Sequence, residues 1–200
     1  MKVSLAILAV VSCLAGAGAA FAQDLPTMRE ARDQVFARDG ALSWEVIGHD
    51  SLNPAELQLL EQIIPLGALP QMAYYGALAI APDQGLADPD TTAAVGNYHS
   101  EEGARAAALA ACNAARSGGS DCAVVLVVRP EGWEAGRSLQ LNADATASLW
   151  GAFRQLGRPR AMAISQATGN WGIGASPQEA LAACAADGAA QDCATVVAEE

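Results

Sequence analysis

One of the two histidines stands where chemistry could be done. His99 lies in Asn97-Tyr98-His99-Ser100, directly before a stretch patterned as a helix. An imidazole there could serve as a general base, with Ser100 or Glu102 as its neighbour in a hydrolase-like reaction. The positive end of the helix would keep such a ring neutral. The same residues also have a purely structural use, in which Ser100 caps the helix and His99 fills the corner between strand and helix. His99, Ser100 and Glu102 are the candidate site that the sequence offers.

Other chemistry-bearing groups are less well placed. His49, Asp50 and Ser51 are adjacent in sequence, whereas a catalytic triad needs convergence in space, so this stretch reads as a surface turn. Asp83, Asp88 and Asp90 lack the alternating oxygens, central glycine and terminal glutamate of a calcium loop. Gly172 and Gly174 precede a helix start, but Pro177 stands where a dinucleotide-binding turn needs its third glycine. Those two glycines are better read as letting a strand pass close to a neighbour. Trp133, Trp150, Trp171, Tyr74, Tyr75 and Tyr98 could line a cleft, although an alanine-rich chain needs most of its large side chains for its core.

Four of the five cysteines belong to a repeated pattern. Ala108-Leu109-Ala110-Ala111-Cys112 is followed by Asp121-Cys122-Ala123-Val124-Val125. The chain then repeats the theme with Ala180-Leu181-Ala182-Ala183-Cys184 and Asp192-Cys193-Ala194-Thr195-Val196. Four cysteines in an exported chain read as two disulfides, and the repeat selects Cys112–Cys122 and Cys184–Cys193 among three pairings. A single zinc site is the competing use, but the spacing is wider than the two-to-four-residue gap of zinc knuckles. No metal and no cofactor is expected.

Residues 1–22 read as a signal peptide: Lys2, an apolar run from Val3 to Gly18, and small residues at Ala20 and Ala22 around a cleavage point before Gln23. Val10-Val11-Ser12-Cys13 also fits a lipobox, which would make Cys13 a lipid anchor instead. The run is too short and too rich in alanine and glycine for a membrane span. These features place the protein in the periplasm or outside the cell. The chain carries a net charge of −11, which disfavours nucleic acid and anionic lipid. Lys2 is its only lysine. A mature chain without lysine cannot form its own Schiff base or supply a P-loop lysine.

The elements that position these groups fall into five segments: 1–22, a lead-in over 23–70, a first ββαβ copy over 71–129, a loop and linking helix over 130–159, and a second ββαβ copy over 160–200. Thr27 with Glu30, and Asn53 with Pro54 and Glu56, read as helix starts in the lead-in. Trp44 to Ile47 alternates as a short strand between them. Each copy has a hairpin (Ala73 to Ala81 returning over Thr91 to Tyr98; Ala161 to Ser165 returning over Trp171 to Gly174), a helix capped by Ser100 or Ser176, and a closing strand. Ala123 to Val128 reads as a central strand buried on both faces. Between the copies, Ser138 to Leu141 reads as a short strand, and Asn142 to Leu156 as one helix.

At these residues the chain resembles a family of small exported bacterial proteins, the domain of unknown function 4189. The shared features are the Tyr75 to Ala79 strand, the serine-capped helix ending in cysteine, and the Asp-Cys opening of a valine-rich strand, in two copies. Gly132-Trp133 stands where that family has a further cysteine, and the linking helix is an addition. The chain is also similar to alphaproteobacterial exported proteins with Tyr-Tyr-Gly-Ala and Asn-Tyr-His-Ser, some of which bear the name 5-aminolevulinate synthase. That reaction requires pyridoxal phosphate on a lysine, which no residue after Lys2 can supply.

The expected architecture is one compact α+β domain of two disulfide-stapled ββαβ repeats, which could share a sheet with the helices on one face. The expected function is non-catalytic binding of a small molecule or an envelope protein, with an enzyme at the His99 corner as the alternative.

Overall fold

The computed structural model describes residues 25–37, 40–86 and 88–200. Residues 1–22, the expected signal peptide with Cys13 in it, lie outside them. Among the described residues, no helix is long and apolar enough to cross a membrane.

Local capping signals become helices as read. Thr27 caps α1 (Met28–Gln34) and Asn53 caps α2 (Pro54–Ile63), each in a reciprocal capping box with the glutamate three residues on. Strand β1 (Leu42–Val46) lies between them. The first repeat follows as β2 (Gly76–Ile80), β3 (Thr92–Val95), α3 (Glu101–Ala115) and β4 (Ala123–Pro130). The second is β5 (Arg160–Ile164), β6 (Trp171–Gly174), α6 (Pro177–Cys184) and β7 (Ala194–Glu199).

The repeats match in register as well as in order. Each hairpin's first strand is central, with its return strand on one side and the closing strand on the other (β3-β2-β4 and β6-β5-β7). A break in the ladder to the closing strand falls between Leu78 and Ala79 in one copy, and between Met162 and Ala163 in the other. These are equivalent positions in Ala77-Leu78-Ala79-Ile80 and Ala161-Met162-Ala163-Ile164. Both disulfides form within their own copies, Cys112–Cys122 and Cys184–Cys193, with Cα atoms 6.1 Å apart in each.

The two copies do not share a sheet. One sheet has the order β1-β4-β2-β3 and the other β6-β5-β7. Nor are the helices confined to one face. Strand alternation puts Ala77 and Ala79 toward α3 and Cys112, while Leu78 and Ile80 point toward Leu60 of α2. The second sheet repeats this scheme: Ala161 and Ala163 meet Ala180 and Cys184 of α6, while Met162 and Ile164 meet Leu149 and Phe153. Alanine on one face lets the stapled helix approach the sheet closely. Large residues on the other face need a second cover, which the lead-in and linking segments supply. β1 also occupies the outer side of β4, which is therefore interior, with Val125 to Val128 fully buried.

The linking segment departs from expectation twice. Asn142 to Leu156 is not one helix but α4 (Ala143–Ser148) and α5 (Ala152–Gln155). Gly151 leaves helical geometry (φ −105°, ψ −112°), and the Arg32 guanidinium takes the Leu149 carbonyl that a continuous helix would use. Ser138 to Leu141 alternates in burial but pairs with no strand. Leu139 and Leu141 enter the core, and Gln140 accepts the Trp133 indole N–H at 3.2 Å.

The two ends of the described chain meet at β7. The Ala198 N–H donates to the Pro26 carbonyl at 3.2 Å, and the Met28 N–H to Glu199 at 3.1 Å. Glu199 also pairs with the buried guanidinium of Arg160 and with Arg158. Burial opposes ionisation of Glu199, but the Arg160 and Met28 donors outweigh it and hold the carboxyl below the usual range.

Candidate functional site

His99 is completely buried where the first repeat, the linking segment and the second repeat meet. Its Nδ1 accepts the backbone N–H of Asn142 at 3.0 Å, and its Nε2 lies 3.0 Å from the Asn170 carbonyl oxygen. An acceptor on one side and a donor on the other define the neutral Nε2–H tautomer. Burial holds the imidazole below its ordinary pKa, against the raising effect of its backbone contacts near Asn170. A general base needs a free lone pair, and in this geometry Asn142 occupies it.

Ser100 and Glu102 are not gathered around that ring. The Ser100 hydroxyl caps α3 by accepting the Gly103 N–H at 3.1 Å, and donates to Gln166 of the second repeat at 3.1 Å. Glu102 is exposed on α3. Its neighbour Glu101, which the sequence did not single out, is buried and bound by Arg105 at 2.6 Å and by Arg129. Burial would raise Glu101, but the two arginines outweigh it and hold the carboxyl low. His49 stays in its own turn, with Nδ1 2.8 Å from the Ser51 hydroxyl. Asp83 accepts the Ser120 N–H at 2.6 Å across to the first disulfide loop, and Asp88 accepts the Asp90 N–H at 2.9 Å. Among the described residues, no three His, Cys, Asp or Glu side chains gather as metal ligands would.

The groups brought together are asparagines. Asn97 follows β3 with φ 61°, in the left-handed region that asparagine tolerates better than most residues. This conformation lets its side-chain carbonyl accept the Ala143 N–H at 3.0 Å while its amide donates to Asp144 at 2.8 Å. Asn142 caps α4 through its carbonyl, and its amide donates to the carbonyls of Asn97 and Gly169 at 3.2 and 2.9 Å. Asn170 donates its side-chain amide to Asp187 at 2.8 Å. Bonds from the Ala189 N–H and from the Asn170 amide hold the Asp187 carboxyl low. A methyl group on Gly169 would stand 2.9 Å from the Asn97 carbonyl, so the second repeat's turn fits the first at glycine contact distance.

Beside this junction opens a cavity of about 330 Å³, lined by Asn97, Asn142, Asp144, Asn170, Trp171 and Asp187 among others. Of the aromatics considered as lining a cleft, Trp171 does so. The sequence put Asn142 at the start of a helix and singled out none of Asn97, Asp144, Asn170 and Asp187 as site residues. The available signal was polar residues beside four element boundaries. Nothing local said that those boundaries converge.

No family model, curated protein or solved structure matches the chain. The fold and the site together define an α+β protein of two disulfide-closed repeats with a polar cavity at their junction.

Proposed function

We propose that this chain is an exported, non-catalytic binding module of the bacterial envelope that holds a small molecule between its two repeats. The observation that carries the reading is the cavity itself. It lies where both repeats and the linking segment contribute lining residues, and its volume is in the range of small-ligand sites, upward of about 300 Å³. The buried hydrogen bonds of His99 and Asn142 support it, because they hold the walls in a fixed relation, as a preorganised site requires. Two disulfides support an oxidising compartment. The Tyr75 to Ala79 strand and the repeated cysteine pattern support kinship with the exported family that the sequence resembles. In this reading His99 and Ser100 frame the site and perform no proton transfer.

Native mass spectrometry of the unreduced protein, purified from the envelope of its own cells, tests this. A small-molecule adduct is expected, and it should be lost in Asp144→Ala, a change at an exposed lining position. An adduct-free mass, with no rise in Tm on adding envelope small-molecule extract, overturns the reading.

A further inference from the structure

The hydrogen-bonding inventory of the cavity names the class of ligand. The side-chain donors are largely turned inward. Both N–H bonds of the Asn142 amide go to backbone carbonyls, one of Asn97 goes to Asp144, and the Asn170 amide goes to Asp187 and, at 3.5 Å, to the Cys184 carbonyl. The acceptors of Asp144 are not used up in the same way. A carboxylate offers about four lone-pair positions. Asp144 receives one side-chain donor, whereas Asp187 receives the Asn170 amide and the Ala189 N–H at 2.9 Å and is also faced by the backbone N–H groups of Ala190 and Asp187.

The charge is as one-sided as the hydrogen bonding. Among the described residues, no lysine, arginine or histidine lines the cavity. The ion pairs of the described residues involve neither Asp144 nor Asp187. The site therefore has negative charge, open acceptor positions on Asp144 and a half-buried Trp171 in its lining. A neutral polyol would leave the charge uncompensated, and an anion would be repelled. A donor-rich organic cation satisfies all three features, through charge-assisted hydrogen bonds to the carboxylates and a cation–π contact with the indole.

Resting on the binding reading above, we infer that the cavity formed by Asn97, Asp144, Asn170, Trp171 and Asp187 takes a small organic ammonium compound.

The test uses the disulfide-intact chain, with putrescine, glucose and calcium chloride as separate probes. Binding is followed by calorimetry and by the NMR signal of the Trp171 indole N–H. Putrescine is expected to bind and move that signal. Its affinity should fall about tenfold or more in Asp144→Asn and again in Asp187→Asn, with both variants still folded and unfolding in a single transition. Putrescine binding that is undiminished in both variants belongs to the acidic surface and overturns the inference. A Trp171 shift with glucose but not putrescine overturns the ligand class while leaving the binding site standing. A shift with calcium alone assigns the carboxylates to an inorganic ion and overturns it too. No shift with any probe overturns the inference, and the native mass then decides separately whether the binding reading falls as well.

Discussion

A methyl group on Gly172 would stand 2.3 Å from the Cys184 backbone nitrogen and 2.6 Å from the Ala180 carbonyl. Neither neighbour can swing aside, because both belong to the backbone of α6. Gly172→Ala should therefore lift α6 from its sheet and cost about 1–3 kcal/mol. Gly48→Ala meets no atom within 4 Å and should change stability by less than about 1 kcal/mol. Urea unfolding of the two variants checks this, and equal midpoints would refute the close-packing account. Glu199 carries a different burden. Its carboxylate is the counter-charge of the Arg160 guanidinium, and both side chains are almost inaccessible. Glu199→Gln leaves a buried cation without its partner, at an expected cost of about 3 kcal/mol. The sign of its pH dependence follows from the lowered carboxyl. The pair's contribution is complete above about pH 5, near the top of the unfolded glutamate's titration, and is lost as the pH falls through the lower folded value. Acid unfolding should therefore be shallower below pH 5 in the variant, and an unchanged acid limb would contradict the assignment.

Disulfides act at the scale of the repeat. Each closes a loop of about ten residues between the end of a helix and the start of a closing strand, which on the loop-entropy model contributes about 3 kcal/mol. Cys184→Ala/Cys193→Ala should lower stability by about that amount. It should also open the amides of α6 to hydrogen exchange before those of α3, whose own disulfide is intact. Exchange spread evenly over both repeats would show that the staples are not local. This is also the scale at which the sequence was most readable. Thr27, Asn53, Ser100, Asn142 and Ser176 cap their helices through bonds to residues two or three positions away, so spacing alone announces them. The repeat was readable because cysteine spacing and the alanine-hydrophobic alternation are both local. The break at Gly151 was not, because it depends on Arg32 reaching Leu149 from 117 residues away. The division into two sheets was hidden for the same reason, since strand pairing is set by partners that sequence order does not reveal. The cavity was least readable of all. Asn97, Asp144, Asn170 and Asp187 belong to four boundaries, and only the packed junction brings them to one wall.

For the whole molecule, the His99 junction decides whether two similar repeats behave as one domain. The ring ties the first repeat to the Asn142 N–H of the linking segment and to the Asn170 carbonyl of the second repeat. Asn142 in turn bonds Asn97 and Gly169. Protonation would place a second N–H against the Asn142 N–H, replacing an attraction with a repulsion in a site closed to water. The folded protein therefore resists protonation, and His99 is held below the unfolded value of about 6.5. For a histidine depressed in this way, stability is complete above the unfolded pKa and is lost as the pH falls through it, by up to about 1.4 kcal/mol per pH unit. Asp192, which faces the ring electrostatically, and Glu101 and Glu199 are all carboxyls held low, so between pH 5 and 7 they stay ionised and do not contribute to the fall. His99→Gln supplies one acceptor and one donor without a titrating group. Its Tm should stay level between pH 7.5 and 5.5 while that of the wild type falls, and both proteins should unfold in a single transition. His99→Ala leaves the Asn142 N–H and the Asn170 carbonyl without their ring partner, and should lose about 3 kcal/mol at pH 7.5. Parallel wild-type and His99→Gln profiles would mean that the ring does not couple the repeats through its neutral form, and the cavity beside it would lose the rigid frame on which its preorganisation depends.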